Sequence, residues 1–81
     1  MNKTLNDLRP GESGIILRLA GEGALKRRLV DMGLTPGVRI TMRKTAPLGD
    51  PIEVNIRGYE LSLRRADAKE IVIEQEMSNA D

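Results

Sequence analysis

The sequence predicts a mainly β fold, a small antiparallel barrel of five strands with one α-helix inserted after the first strand. Two observations lead to this class. Apolar and polar residues alternate along short segments that Gly- and Pro-rich turns separate, which is typical of strands with one buried face. The chain has 81 residues and one aromatic side chain, so a small bent sheet around an aliphatic core is the natural way to limit exposed strand edges.

Two Pro-Gly pairs are predicted to turn the chain into its first two strands. Pro10-Gly11 and Pro36-Gly37 fit the central positions of type II turns, where the second residue needs a positive φ. The strand after the first turn covers Gly14 to Leu19, and its alternation is interpreted with Ile16 facing outward. The strand after the second turn has Val38, Ile40 and Met42 on one face and Arg39, Thr41 and Arg43 on the other.

A single helix is predicted from Ala24 to Met32, after the Gly-rich segment 21–23. Gly33 follows it and is well suited to close the helix, because it has no Cβ to clash in the left-handed conformation. The apolar residues of this helix fall at i, i+4 and i+7 and make one stripe, formed by Leu25, Leu29 and Met32.

The next two strands are predicted to form a hairpin around Arg57-Gly58. In this register Ile56 faces Tyr59, Val54 faces Leu61 and Ile52 faces Leu63, with all six side chains directed inward. The alternate pairs, Asn55 with Glu60 and Glu53 with Ser62, are polar. A slip of one residue would place apolar side chains opposite polar ones, so the register is well specified.

The chain is predicted to end with a short helical turn at 66–69, a last strand at 71–73 and a polar tail. The domain is placed at residues 1–74 and a disordered C-terminal tail at 75–81. An SH3-like barrel is the predicted architecture, and an open α+β meander is the alternative.

Composition argues against catalysis and against an ordinary transition-metal site. The chain has 13 basic and 12 acidic residues, a net charge of +1, and neither His nor Cys. Without His or Cys the usual nitrogen and sulfur ligands and nucleophile–base pairs cannot form, so we expect no enzyme, no catalytic or metal residues and no cofactor. The sequence contains neither a signal peptide nor a long apolar segment, so a cytoplasmic location without membrane insertion is expected.

Three segments of the chain resemble the FeoA family, the small cytosolic accessory proteins of bacterial ferrous iron uptake. They are residues 29–37 (LVDMGLTPG), 46–52 (APLGDPI) and 57–65 (RGYELSLRR). The resemblance implies an SH3-like barrel, and it implies FeoB, a membrane ferrous iron permease with a cytoplasmic GTP-binding domain, as the partner. It carries over no catalytic or metal-binding residue.

The candidate partner-interface residues lie mostly on or near the predicted helix. Val30 falls off the apolar stripe, near the basic residues, and an apolar spot with a basic rim suits a protein contact. Burial of the helix on two sides, against Ile16 or Val72, is the alternative for Val30 and Leu34. The full set of candidates is Lys26, Arg27, Arg28, Val30, Leu34 and Leu48.

Three functions remain open from the sequence. The first is an accessory protein that binds the cytosolic part of the FeoB permease and supports or regulates transport, with weak self-association as a further contact. The second is a regulator of the permease's GTPase cycle, in which Arg27 or Arg28 acts as an arginine finger. The third is a nucleic-acid or repressor-type interaction domain. A stripe of basic residues favours this function, but the scarcity of aromatic residues that could stack on bases argues against nucleic-acid binding. The stripe is formed by Arg39, Arg43, Arg57 and Arg64.

Overall fold

The computed structural model describes residues 3–76 as one antiparallel sheet of six strands, two helices and one 3₁₀ turn. In chain order the elements are β1 (Lys3–Thr4), the 3₁₀ turn (Leu5–Asp7), β2 (Ser13–Leu19), α1 (Gly23–Asp31), β3 (Arg39–Thr45), β4 (Ile52–Ile56), β5 (Tyr59–Leu63), α2 (Arg65–Ala68) and β6 (Ile71–Gln75). The order across the sheet is β1-β6-β2-β3-β4-β5. The mainly β class with a helix inserted between the first two long strands is therefore confirmed.

The prediction of five strands was one short. The missing strand is β1, which pairs with β6 through Lys3 opposite Ile73 and Thr4 opposite Val72. A strand of two residues is too short to show an alternating pattern. Its existence depends on a partner about seventy positions further along the chain, so only the folded structure could show it.

The β4–β5 hairpin is confirmed pair by pair, with Ile56 opposite Tyr59 and Ile52 opposite Leu63. Arg57 and Gly58 have φ of 50° and 87°, and two positive values at the centre of a two-residue loop indicate a type I′ turn. Tyr59, however, is 46% exposed, so the prediction that it faces a buried interior is wrong. It lies at the end of an edge strand, where only part of its ring has neighbours.

The predicted facing of β2 is also corrected. Ile16 is buried at 1% exposure, whereas Leu17 is 40% exposed. Ile16 pairs with Ile73 and Arg18 pairs with Val72, so Leu17 is an extra residue in the ladder, a β-bulge. Because one additional residue shifts the side-chain phase, Ile16 and Leu19 both face the core although they are three positions apart.

The core is aliphatic, as the composition predicts. Each fully buried Leu, Ile or Val side chain stabilises the fold by about 1.5–3 kcal/mol relative to leaving it exposed. Sixteen buried residues form one contiguous cluster: Leu5, Leu8, Ile16, Leu19, Leu29, Leu34, Val38, Ile40, Met42, Ile52, Val54, Ile56, Leu63, Ala68, Ile71 and Ile73.

Both Pro-Gly turns form as predicted. The N–H of Glu12 donates to the carbonyl of Arg9 at 2.9 Å, and the N–H of Val38 donates to the carbonyl of Thr35 at 3.2 Å. The two glycines have φ of 92° and 91°, which is the conformation that the third position of a type II turn requires.

The last strand is longer than the predicted 71–73. β6 continues to Gln75, and the N–H of Glu76 donates to the carbonyl of Ser13 at 2.9 Å. The remainder of the predicted tail, 77–81, lies outside the described residues.

Candidate partner-binding surface

The end of α1 fixes which of its residues reach the surface. The N–H of Gly33 donates to the carbonyl of Val30 at 2.9 Å, and the N–H of Leu34 donates to the carbonyl of Leu29 at 3.0 Å. Gly33 has a φ of 93°. This pair of bonds around a left-handed glycine is a Schellman motif, so the predicted helix stop is confirmed.

The same motif removes Leu34 from the candidate surface. A Schellman motif is commonly closed by an apolar contact between the residue after the glycine and the helical residue five positions earlier. Leu34 and Leu29 hold these two positions, and both are 0% exposed. The prediction that Leu34 belongs to an exposed interface is therefore wrong, because the cap folds it into the core.

Three of the candidates do form a patch on α1. Lys26, Arg27 and Val30 are all exposed, and Val30 is 42% exposed. Residues three and four apart are neighbours on a helix, so Val30 lies beside both basic side chains. Within residues 3–76 neither Lys26 nor Arg27 forms a salt bridge. We call these three residues the α1 patch; it is an apolar spot with two free positive charges at its rim.

Arg28 has a different role from its neighbours. Its Nη2 lies 2.9 Å from Oδ2 of Asp67, which belongs to α2. The bridge connects the helix to the segment that follows β5, and the Arg28 side chain remains 60% exposed. The Asp67 side chain is 18% exposed. Because the arginine is largely in solvent, the bridge is screened and contributes only about 0–1 kcal/mol.

Leu48 is the most exposed apolar residue in the described part of the chain, at 96%. It lies at the tip of the β3–β4 loop, in a turn that the N–H of Gly49 closes by donating to the carbonyl of Ala46 at 2.7 Å. Across residues 3–76, no hydrogen bond or ion pair connects this loop to α1. The structure therefore gives no reason to join Leu48 to the α1 patch.

Arg65 anchors the Leu48 loop, and sequence reasoning missed it. Its backbone N–H donates to Oδ1 of Asp50 at 3.1 Å, its Nε donates to the carbonyl of Gly49, and its Nη1 donates to Oδ1 of Asn6 at 2.9 Å. These partners come from segments far apart in the chain, so no local pattern could indicate them. The bonds to Gly49 and Asp50 hold the residues next to Leu48 against Arg65.

The predicted basic stripe is partly neutralised. Arg43 lies 3.4 Å from Glu60, and Nε of Arg39 donates to Oε2 of Glu76 at 2.8 Å. The hydrogen bond from Arg39 lowers the pKa of Glu76, and the same bond raises the pKa of Arg39, so both groups stay charged near neutral pH. A stripe with acidic partners gives little attraction for nucleic acid.

The described residues offer neither a metal centre nor a membrane span. Among residues 3–76 no three acidic side chains gather as metal ligands would, and the whole chain lacks His and Cys. None of the helices in that range is long and apolar enough to cross a membrane.

Comparison with known proteins identifies the family. The FeoA domain matches residues 3–75. A fusion of Fe(2+) transport protein A with the Fe(2+) transporter FeoB, from Porphyromonas gingivalis (strain ATCC BAA-308 / W83), is 41% identical over 76 residues. This match covers 94% of the chain but only 9% of the fusion protein.

Two solved structures agree with the fold. A FeoA-like protein from Clostridium acetobutylicum superposes on this chain with a TM-score of 0.90 at 32% identity. The match covers 99% of this chain and 93% of the Clostridium chain. FeoA of Stenotrophomonas maltophilia, solved in complex with zinc and described as a prokaryotic SH3 domain protein, gives a TM-score of 0.80 at 27% identity. That match covers 91% of this chain and 95% of the Stenotrophomonas chain.

The six-stranded sheet and its inserted helix thus define an SH3-like domain that presents exposed protein-contact candidates. The chain belongs to the FeoA family, which is associated with ferrous iron transport.

Proposed function

We propose that this chain is a non-enzymatic accessory protein of ferrous iron uptake that binds the cytosolic part of a FeoB-type permease and supports or regulates its transport. The observation that carries this proposal is the Porphyromonas fusion, in which the relative of this chain and the transporter are one polypeptide. Covalent linkage raises the effective concentration of two domains to about the millimolar range. Such linkage favours domains that act on each other.

The α1 patch is the part of the chain that we assign to this contact. Val30 supplies an apolar side chain that a partner can cover, while Lys26 and Arg27 supply positive charges that form no salt bridge within residues 3–76. Binding energy in interfaces concentrates in a few covered side chains, and charges at the rim steer the encounter. The matching surface on the permease domain is an apolar recess bordered by Asp or Glu.

The chemistry of the chain favours action on a protein over action on iron. Fe²⁺ sites in proteins rely largely on imidazole, thiolate and carboxylate ligands, and this sequence has no His and no Cys. We place the chain in the cytosol, because the GTP-binding domain of the expected partner is there.

The test is binding of the permease's purified cytosolic domain to Val30→Asp, measured by calorimetry. We expect the Kd to rise at least about tenfold, since a charge replaces the covered apolar group. Leu17→Asp is the matched control, because Leu17 is an apolar residue of nearly equal exposure, 40% against 42%, on a strand instead of the helix. Both variants should melt at nearly the same temperature. Equal binding by wild type and Val30→Asp would refute the assignment of the patch.

Regulation of the partner's GTPase cycle is a second candidate function, and it depends on whether an arginine of α1 is free to reach the partner. Arg27 is exposed and forms no salt bridge within residues 3–76, whereas Arg28 is held by Asp67. An arginine finger needs a guanidinium that is free to reach the nucleotide of the partner. If this function operates, Arg27→Ala abolishes the stimulation of GTP hydrolysis and Arg28→Ala retains most of it. A hydrolysis rate that wild-type protein leaves unchanged excludes a GTPase-activating role.

A further inference from the structure

β5 presents the longer free edge of the sheet. The sheet ends at β1 on one side and at β5 on the other, and β1 has two residues whereas β5 has five. In an antiparallel hairpin with a two-residue loop, the two residues that flank the loop bond to each other through their N–H and C=O groups. Along each strand the next residue then directs these groups away from the partner strand, and the direction continues to alternate. Tyr59, Leu61 and Leu63 therefore bond to β4, while Glu60 and Ser62 direct their N–H and C=O groups away from it.

In the part of the chain that the structure describes, these outward groups have no protein partner. Throughout residues 3–76, no backbone or side-chain group forms a hydrogen bond with the backbone of Glu60 or Ser62 on that side. Both residues are exposed. The Glu60 carboxylate lies 3.4 Å from Arg43 of β3, so its side chain reaches across β4 and away from the free edge. A row of unpaired backbone groups without a guarding charge is a template for another extended chain.

A groove lies between the end of β5 and the end of α1. Its walls include Arg28 and Met32 from the helix and Ser62, Leu63 and Arg64 at the end of the strand. The hydroxyl of Tyr59 donates to the carbonyl of Met32 at 3.3 Å, so the last turn of the helix lies beside the start of the strand. The end of the helix therefore forms one wall of the groove and the end of β5 forms the other.

We propose that this groove binds an extended segment of the permease's cytosolic part, which adds to β5 as a further strand; this inference rests on the proposed function. The segment bonds to the backbone of Glu60 and Ser62, which is the main-chain mode of peptide recognition by β-strand addition. Its residue beside Leu61 is apolar, because Leu61 is a partly buried apolar side chain of the edge strand. An acidic side chain of the segment suits the end of the groove, because Arg64 forms no salt bridge within residues 3–76, whereas Arg28 is paired with Asp67.

Amide hydrogen exchange followed by NMR tests the proposal, with the permease's purified cytosolic domain as the probe, in its GDP-bound and GTP-analogue-bound states. In the free chain the amides of Glu60 and Ser62 exchange fast, and those of Leu61 and Leu63 exchange slowly because β4 protects them. On binding, the amides of Glu60 and Ser62 slow by at least about tenfold.

A matched pair of variants at Ser62 gives a second readout. Ser62→Pro removes only the outward N–H, which a free edge tolerates, whereas Ser62→Val keeps that N–H and suits a strand. We expect Ser62→Pro to weaken binding at least tenfold and Ser62→Val to change it less than about threefold, with melting temperature as the check on folding.

Three results would overturn the proposal, and they differ in whether they also refute the proposed function. Binding of the probe without protection of the amides of Glu60 and Ser62 removes the groove assignment and leaves the proposed function standing. Absence of any binding removes both. Protection that appears when this chain alone is concentrated assigns the edge to a second copy of the chain.

Discussion

Gly14→Ala is the substitution whose effect the structure determines most directly. Gly14 lies in β2 and is paired with Gln75 of β6. A Cβ added to it would lie 2.8 Å from Cδ1 of Ile73, 2.9 Å from the carbonyl oxygen of Glu74 and 3.4 Å from Cα of Gln75. Two of these distances are shorter than real Cβ contacts, so one of the two strands has to shift.

The expected loss of stability follows from what can move. Overpacking a core costs about 1–3 kcal/mol, and the side chain of Ile73 can relieve part of that by changing rotamer. The carbonyl of Glu74 cannot, because it belongs to the backbone of a strand hydrogen-bonded to both β1 and β2. We therefore expect about 3 kcal/mol, a large part of the roughly 4–12 kcal/mol available to a domain of this size. The melting temperature should fall by about 12–24 °C.

Urea and thermal denaturation of three variants measure this effect. The double variant Gly14→Ala/Ile73→Val removes the closest contact, to Cδ1 of Ile73, but leaves the Glu74 carbonyl in place. We therefore expect the double variant to recover none of the stability lost in Gly14→Ala, apart from the effect that shortening Ile73 has by itself. Gly21→Ala is the control, because its Cβ would meet the flexible end of Leu25 at 3.0 Å and should cost less than about 1 kcal/mol. A Gly14→Ala protein within about 1 kcal/mol of wild type would refute the reasoning.

Three further predictions concern the cap, the hairpin turn and pH. Leu34→Ala should lose about 2–5 kcal/mol in urea denaturation while Val30→Ala loses less than about 0.5, since only Leu34 is in the core; equal losses would contradict the distinction. Arg57→Asn should gain about 0.5–1 kcal/mol in thermal denaturation, because Asn tolerates the φ of 50° better; a loss would exclude a type I′ turn. Because Arg39 lowers the pKa of Glu76 in the folded state, the stability that Glu76 contributes is present near neutral pH and is lost as pH falls through that lowered pKa. The difference in melting temperature between wild type and Glu76→Gln should therefore shrink as the pH is lowered from neutral into the acid range, and a constant difference would argue against this ion pair.

The parts of the fold that were predicted correctly are those specified by neighbouring residues. The β4–β5 register follows from side-chain parity around a two-residue turn, and the end of α1 follows from a glycine that can adopt a positive φ. Both Pro-Gly turns likewise follow from adjacent residues. In each case the residues that decide the structure lie within a few positions of each other, so their pattern is visible in the sequence.

The features that were missed depend on residues far apart in the chain. The bulge at Leu17 exists because β2 must pair with β6 while Ile16 and Leu19 both enter the core. Arg65 anchors the Leu48 loop through bonds to Gly49, Asp50 and Asn6, and these two partner segments meet Arg65 only in the folded chain. No periodicity records such contacts, because they are set by packing and not by the local preferences of the backbone.

The candidate surface shows the same division. The sequence by itself determined that the helix carries Val30 among basic residues and ends at Gly33, because helical spacing and the conformational freedom of glycine are local properties. Only the tertiary structure decided that Leu34 turns inward, that Arg28 is bound by Asp67 and that no strand within residues 3–76 pairs with the outer edge of β5. The physical reason is that burial, ion pairs and strand order depend on which distant segments the core brings together.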